Sequence, residues 1–187
     1  MNETHHDSLK QYVNDMIGLE HHIINAVSLQ REEDRVKIFG DLPTILDQLL
    51  STSEARLVSL KKLSLAEDGA VGAAFKEGIT SIAGSLAGLY GKIREHAVSK
   101  MVRDDIIAVH VTSIGYGMLL SLALAIGHEE CAALATEGIE QTPPLIIALT
   151  DLLPMIVVQE LAEDAPLKDP LAGKLAAVRI REAWGHA

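Results

Sequence analysis

The stretch LKQYVNDMIGLEHHIINAVSL, residues 9–29, carries Leu9, Val13, Met16, Ile17, Ile23, Ile24 and Val27 at helical spacing. At ~100° per residue these side chains form one apolar stripe, so the segment reads as an amphipathic helix with a face committed to a core. Glu20 falls near the middle of that stripe. A carboxylate among apolar neighbours is unfavourable unless it is paired, protonated or bound to a metal. Inward-pointing glutamates are one way in which bundled helices hold metal ions. The partners that the rest of the chain supplies to Glu20 therefore decide its chemistry.

The chain has 187 residues, enough for one domain with a core or one domain with a short appendage. Hydrophobic residues make up 48% of it and aromatics only 3%, so the core must be built from Leu, Ile, Val, Ala and Met. That composition suits packed helices better than a β-sandwich. A formal net charge of −10 argues against nucleic acid as a partner, because phosphate binding needs concentrated Lys and Arg. The modest basic cluster at Lys92, Arg94 and Lys100 to Arg103 reads as a solvated helix end. The single cysteine, Cys131, excludes an intrachain disulfide framework and fits a reducing cytoplasm. It stands beside Ala132, Ala133 and Leu134 and reads as a small buried residue. Residues 1–10 are polar and acidic, with no apolar stretch of the kind a signal peptide needs.

Outward from residues 9–29, the first helix spans Ser8 to about Gln30 and closes at the charged run Arg31 to Arg35. A second helix opens at Gly40-Asp41-Leu42-Pro43, with Asp41 as N-cap and Pro43 in the first turn, and runs to about Leu65. Its stripe is Leu42, Leu46, Leu49, Leu50, Leu57 and Leu60, interrupted by Ser51-Thr52-Ser53, with Ser53 on the buried side. Between Asp68 and Gly91 the chain is glycine-rich, yet Phe75, Ile79, Ile82, Leu86, Leu89, Tyr90 and Ile93 keep a helical period that predicts one or two short helices. A third long helix is expected over Val102 to Ile126, stopped by Gly127, with His110, Ser113, Gly117 and Ser121 forming a small-residue side open to close approach by another helix. The fourth begins near His128 and is expected to break at Thr142-Pro143-Pro144 and bend again at Pro154. Residues 1–162 thus form a helical bundle, 163–170 a charged linker, and 171–187 a tail whose Leu171 to Trp184 stretch is a short amphipathic helix.

Ile106 to Gly127 carries no formal charge for more than twenty residues, which meets the ~20-residue criterion for a membrane span. Arg103, Asp104 and Asp105 precede it directly, and His128, Glu129 and Glu130 follow; there is no aromatic belt. The later apolar stretch is broken by Asp151 and Pro154, so no second long uncharged run accompanies it. The expectation is a buried helix at the centre of a soluble bundle, with no membrane as partner.

Local strings then carry a resemblance. Gly18-Leu19-Glu20, Lys76-Glu77-Gly78, Val102-Arg103-Asp104, His110 and Tyr116-Gly117 follow one another in order across residues 8–162. In these the chain resembles a family of small bacterial ferritin-like proteins, stress-associated and without an established activity. The resemblance implies an all-α, ferritin-like four-helix bundle with short helices inserted between helices B and C, associating as dimers or larger assemblies. It also implies inward carboxylates on all four helices, able to hold two metal ions, iron or manganese. On that pattern Glu20 matches the ligand of helix A and Glu140 one on helix D. Helix B offers Ser51, Thr52, Ser53, Glu54 and Arg56 where a glutamate with a nearby His or Gln is expected, and helix C presents Val109 and Thr112 where a glutamate is expected.

Two carboxylates without an inward histidine do not make a di-metal site, which draws on ligands from all four helices. The favoured reading of Glu20 is a buried carboxylate satisfied by hydroxyls of Ser53, Tyr116 or Thr112, or by the basic group of Arg56. His110 is expected to be a packed, hydrogen-bonded histidine, His21 and His22 to lie off the stripe, and His5 and His6 to bind metal only adventitiously. No Ser-His-Asp or Cys-His set, phosphate-cradling glycine loop or Cys-x-x-Cys pair is present. The sequence thus favours a non-enzymatic structural or interaction protein without cofactor, cytoplasmic and homodimeric. Two alternatives stand beside it: a di-metal oxidase or storage-type protein using Glu20 and Glu140, and a binder of a small apolar ligand in the bundle interior near Ser53, Thr112 and Gly117.

Overall fold

Leu9, Val13, Met16, Ile17, Ile23 and Val27 are all at most 3% exposed, so the stripe over residues 9–29 is the buried face of a helix. The computed structural model describes residues 3–68 and 97–185. Over these it is all-helical: α1 Glu3–Glu32, α2 Asp34–Lys37, α3 Leu42–Asp68, α4 Val98–Ile126, α5 Glu129–Asp164 and α6 Ala172–Ala183. The periodic residues Phe75 to Ile93 and the Lys76-Glu77-Gly78 string lie outside the described residues.

Four long helices pack in a ring, α1 against α3 and α4, α5 against α4 and α3. Cross-helix bonds give the directions. Arg31 pairs with Asp47 while Glu20 pairs with Arg56, so α1 and α3 are antiparallel. Gln30 bonds Asp105 while Tyr116 bonds Glu20, so α1 and α4 are antiparallel as well. The end of α3 and the start of α4 therefore lie at opposite ends of the bundle.

The helix ends differ from expectation in instructive ways. The first helix starts five residues before Ser8 and takes in Arg31 and Glu32, and the rest of the charged run enters the extra short helix α2 rather than a plain stop. Asp41 precedes α3, its carbonyl accepting from the Ile45 N–H at 3.0 Å. Gly127 closes α4 in the left-handed region at φ 73°, and the His128 N–H returns to the Ala123 carbonyl at 2.8 Å. His128 then caps α5, its Nδ1 accepting from the Cys131 N–H, with Glu129 and Glu130 in the first turn where the helix dipole favours acids.

The expected break at Thr142-Pro143-Pro144 does not occur: α5 runs unbroken for 36 residues through Pro143, Pro144 and Pro154. Pro143 cannot donate to the carbonyl four residues back, that of Ile139. The Thr142 hydroxyl donates to that carbonyl at 2.9 Å in its place. The residue beside the proline thus supplies the hydrogen bond whose loss would have ended the helix.

The third long helix is not the all-round buried element that its composition suggested. Ile107, Ile114 and Met118, at spacings of seven and four, are 39%, 64% and 50% exposed, so α4 presents an apolar outer stripe. Among the described residues nothing approaches the small-residue side closely at Gly117, where a Cβ would meet nothing within 4 Å. Close approach happens instead at Gly115, against Met16, and at Gly138, against the Tyr116 ring. Among the described residues two helices, α4 and α5, are long and apolar enough to cross a membrane by length and composition, where the sequence pattern indicates one.

After Asp164, residues 165–171 carry the chain to α6, which docks on α5. Gly173 permits the contact, since a Cβ there would come within 3.0 Å of the Met155 Cα and the Pro154 carbonyl. Arg181 closes a bidentate pair with Asp151 at 2.7 and 2.6 Å, and the Trp184 ring meets the edge of His110.

Candidate functional site

Glu20 is fully buried at the centre of the bundle. Helix α3 brings Arg56 against it, three residues after Ser53 on the same buried side. Arg56 Nε donates to Glu20 Oε1 at 2.6 Å and Nη2 donates to Oε2 at 3.1 Å, a two-pronged pair. Nη2 also donates to the Ser53 hydroxyl at 3.1 Å. From α4 the Tyr116 hydroxyl donates to Glu20 Oε1 at 3.0 Å, and its ring lies 5.8 Å from the guanidinium carbon. Opposite, Gly138 of α5 leaves the room that the Tyr116 ring fills.

The electrostatics follow from burial and pairing. Burial works against the Arg56 charge, but Glu20 and Tyr116 together outweigh it and the guanidinium pKa is raised. Burial, reinforced by Glu20, pushes the Tyr116 phenol far above its usual range, so it stays a neutral donor. One carboxylate and one guanidinium sum to zero, and the pair needs no further counterion.

Of the residues singled out from the sequence, Glu20, Ser53, Arg56 and Tyr116 come together. Thr112 is buried, but its hydroxyl donates to the Ala108 carbonyl of its own helix at 2.9 Å. Ser53 accepts from Arg56 rather than donating to Glu20. Glu140 does not join the centre: it lies on the exposed side of α5, because the helix continues through the prolines without turning that residue inward. Among the described residues no three His, Cys, Asp or Glu side chains converge as a metal-holding group. His110 is half-buried with Nδ1 2.9 Å from the Ile106 carbonyl, a packed histidine as expected. Cys131 is buried.

A second buried polar contact escaped the sequence reading. Gln30 Nε2 donates to Asp105 Oδ1 at 3.0 Å, with both residues buried and Asp104 buried beside them. The signal existed: Gln30 follows Met16, Glu20, Ile23 and Val27 at the same three-four spacing. Asp104 and Asp105 enter the sequence reading only as charges that directly precede an apolar segment.

Among the described residues, two cavities bear on these elements. One of about 30 Å³ lies beside Arg56, lined by Ala55, Ser59, Leu134, Glu137, Gly138 and Gln141. The other, a cleft of about 300 Å³ between α5 and α6, is lined by Ile147, Thr150, Asp151, Ile180, Arg181 and Trp184. The small cavity lies at Arg56, three residues from Ser53 on α3, and the larger cleft lies beneath the tail helix. No known family, curated protein or solved structure matches this chain.

Proposed function

We propose that this chain is a ferritin-like bundle working as a cytoplasmic structural or interaction protein, with an arginine where a metal centre would stand. The observation that carries this reading is the Arg56 guanidinium, 4% exposed, held against both oxygens of Glu20. It takes the lone pairs a metal would use, and a divalent cation beside a buried guanidinium is repelled. The ring of four long helices, with the end of α3 and the start of α4 at opposite ends, supports the ferritin-like part of the reading, as do the strings around Glu20 and Tyr116. The outer stripe of α4 at Ile107, Ile114 and Met118, with Leu171 just before α6 and Leu175 and Val178 along it, supports a homodimer, because apolar faces of this kind favour association.

The test is metal content of untagged protein grown with iron and manganese, measured beside Glu20→Gln, together with the oligomeric state by light scattering without detergent. Metal well below one ion per chain, and a dimer that Ile114→Lys with Met118→Lys converts to monomer, are expected. Stoichiometric metal lost in Glu20→Gln refutes the reading in favour of the di-metal alternative. The cleft of about 300 Å³ beneath α6 favours a second reading, a binder of a small apolar ligand. Its test is mass spectrometry of organic extracts of the purified protein, where a stoichiometric lipid or aromatic compound supports it.

A further inference from the structure

Arg56 has five N–H donors, and those on Nη1 have no partner although the atom is sealed from bulk solvent. Gln141 on α5 shows the complementary deficit: its Oε1 is equally sealed and accepts nothing. Both residues line the same cavity of about 30 Å³ between α3 and α5. Sealed, unpartnered polar atoms are strongly disfavoured, a charged donor most of all. A donor and an acceptor left over on one small space call for a single occupant.

The Gln141 amide is not free to turn. Its Nε2 donates to Glu137 Oε1 at 3.0 Å, and a flipped amide would set its oxygen against that carboxylate. The atom left for the cavity is therefore an acceptor. From these contacts we infer that the cavity is a binding site for one small neutral hydroxyl-bearing molecule, which accepts from Arg56 Nη1 and donates to Gln141 Oε1. A cation is excluded by the guanidinium. An anion is disfavoured by Gln141 Oε1 and by the Glu137 carboxylate, which lines the same space, while Glu20 already balances the Arg56 charge. Size sets the limit: one water needs on the order of 10–15 Å³ of such space, so the cavity takes one or two waters or a hydroxylic molecule of about two non-hydrogen atoms. The occupant would extend one hydrogen-bonded path from Glu137 on the surface, through Gln141 and Arg56, to Glu20 and Tyr116 in the core. The inference rests on the Arg56 and Gln141 contacts and the cavity they share, and stands whether or not the chain acts as a structural protein.

A crystal structure near 1.5 Å resolution tests it, with one set of crystals grown in bromide and one soaked in methanol. One ordered oxygen within hydrogen-bonding distance of both Arg56 Nη1 and Gln141 Oε1 is expected, with no anomalous bromide signal. A water retained through the soak identifies the occupant as solvent; density extended by one atom shows that the site admits small alcohols, and both results uphold it. Gln141→Leu is expected to lose the density while Arg56 keeps its hold on Glu20. Bromide at that point, an empty cavity, or a direct Nη1–Oε1 contact closing the space overturns the inference, and the wild-type crystal decides it even where the variant fails to fold.

Discussion

Replacing Arg56 by methionine keeps an unbranched, flexible side chain at the site but removes the charge and three hydrogen bonds, two to Glu20 and one to Ser53. Glu20, fully buried, then retains only the Tyr116 hydroxyl at 3.0 Å. Removing one partner of a buried pair is destabilising by about 3–5 kcal/mol, because the surviving charge is left without compensation. Glu20→Met strands the guanidinium and falls in the same range of about 3–5 kcal/mol. Tyr116→Phe removes one bond to a charged acceptor, about 1.5–3 kcal/mol. The three single losses sum to about 8–13 kcal/mol, comparable to the whole stability of an ordinary domain. The triple variant Glu20→Met/Arg56→Met/Tyr116→Phe strands no charge, and replacing buried ion pairs with apolar groups is often neutral or stabilising. Its stability is expected to lie within about 2 kcal/mol of the parent. Urea unfolding followed by circular dichroism reads this directly: with a slope of about 2 kcal/mol/M, Arg56→Met lowers the midpoint by about 1.5–2.5 M. A triple variant that loses as much as the singles combined, or an Arg56→Met midpoint unmoved, refutes the account of the core.

Three further outcomes can be checked with little more effort. A Cβ at Gly138 would lie 2.7–2.8 Å from three atoms of the Tyr116 ring, near its root, so Gly138→Ala must displace the ring and strain its bond to Glu20. Overpacking of about 1–3 kcal/mol with part of that bond, less about 1 kcal/mol of helix propensity, gives a net loss of about 1–3 kcal/mol, read as a lower melting temperature. The His21 pKa is lowered by burial first and then by Lys61 and His22. Its unfolded form binds a proton more readily, so stability falls as pH drops through about 6.5, and His21→Gln is expected to flatten that part of the stability–pH curve. Asp151→Asn breaks the bidentate hold on Arg181 and is expected to red-shift the emission of Trp184, the single tryptophan, while the global unfolding midpoint stays in place.

How far the sequence reached depends on whether a residue's fate is set by its own helix or by a neighbour. Glu20 was legible because helical period alone places it among Met16, Ile17, Ile23 and Val27. Arg56 and Tyr116 were legible as the nearest groups able to satisfy it. Thr112 was misassigned because a helical threonine has a competing acceptor one turn back, here the Ala108 carbonyl. The direction of Glu140 was not legible because the prolines ahead of it predict a break; a single hydroxyl, that of Thr142, offsets the first, and Glu140 stays on the solvated side. The outward apolar stripe of α4 was invisible for a different reason. A helix apolar on nearly every side carries no periodic signal for which face is covered.

The central layer takes one group from each long helix: Glu20 from α1, Arg56 from α3, the Tyr116 phenol from α4 and Gly138 from α5. If arginine stands in for a cation here, then Arg56→Glu should create the need for one. Two carboxylates face each other in a buried layer and repel unless both are compensated. A divalent ion between them restores neutrality to within the reach of one more ligand, and Gln141 lies on the adjoining cavity. Arg56→Glu is therefore expected to be strongly destabilised in chelator and to regain stability in manganese, because an ion that binds only the folded state stabilises it by RT ln(1 + [Mn]/Kd), about 2.7 kcal/mol at a hundredfold excess over Kd. Thermal unfolding in EDTA and in a manganese series reads the effect, with the parent chain as the control that should not respond. A variant indifferent to manganese, or a parent that responds equally, would mean that Arg56 neutralises Glu20 without occupying the place of a metal.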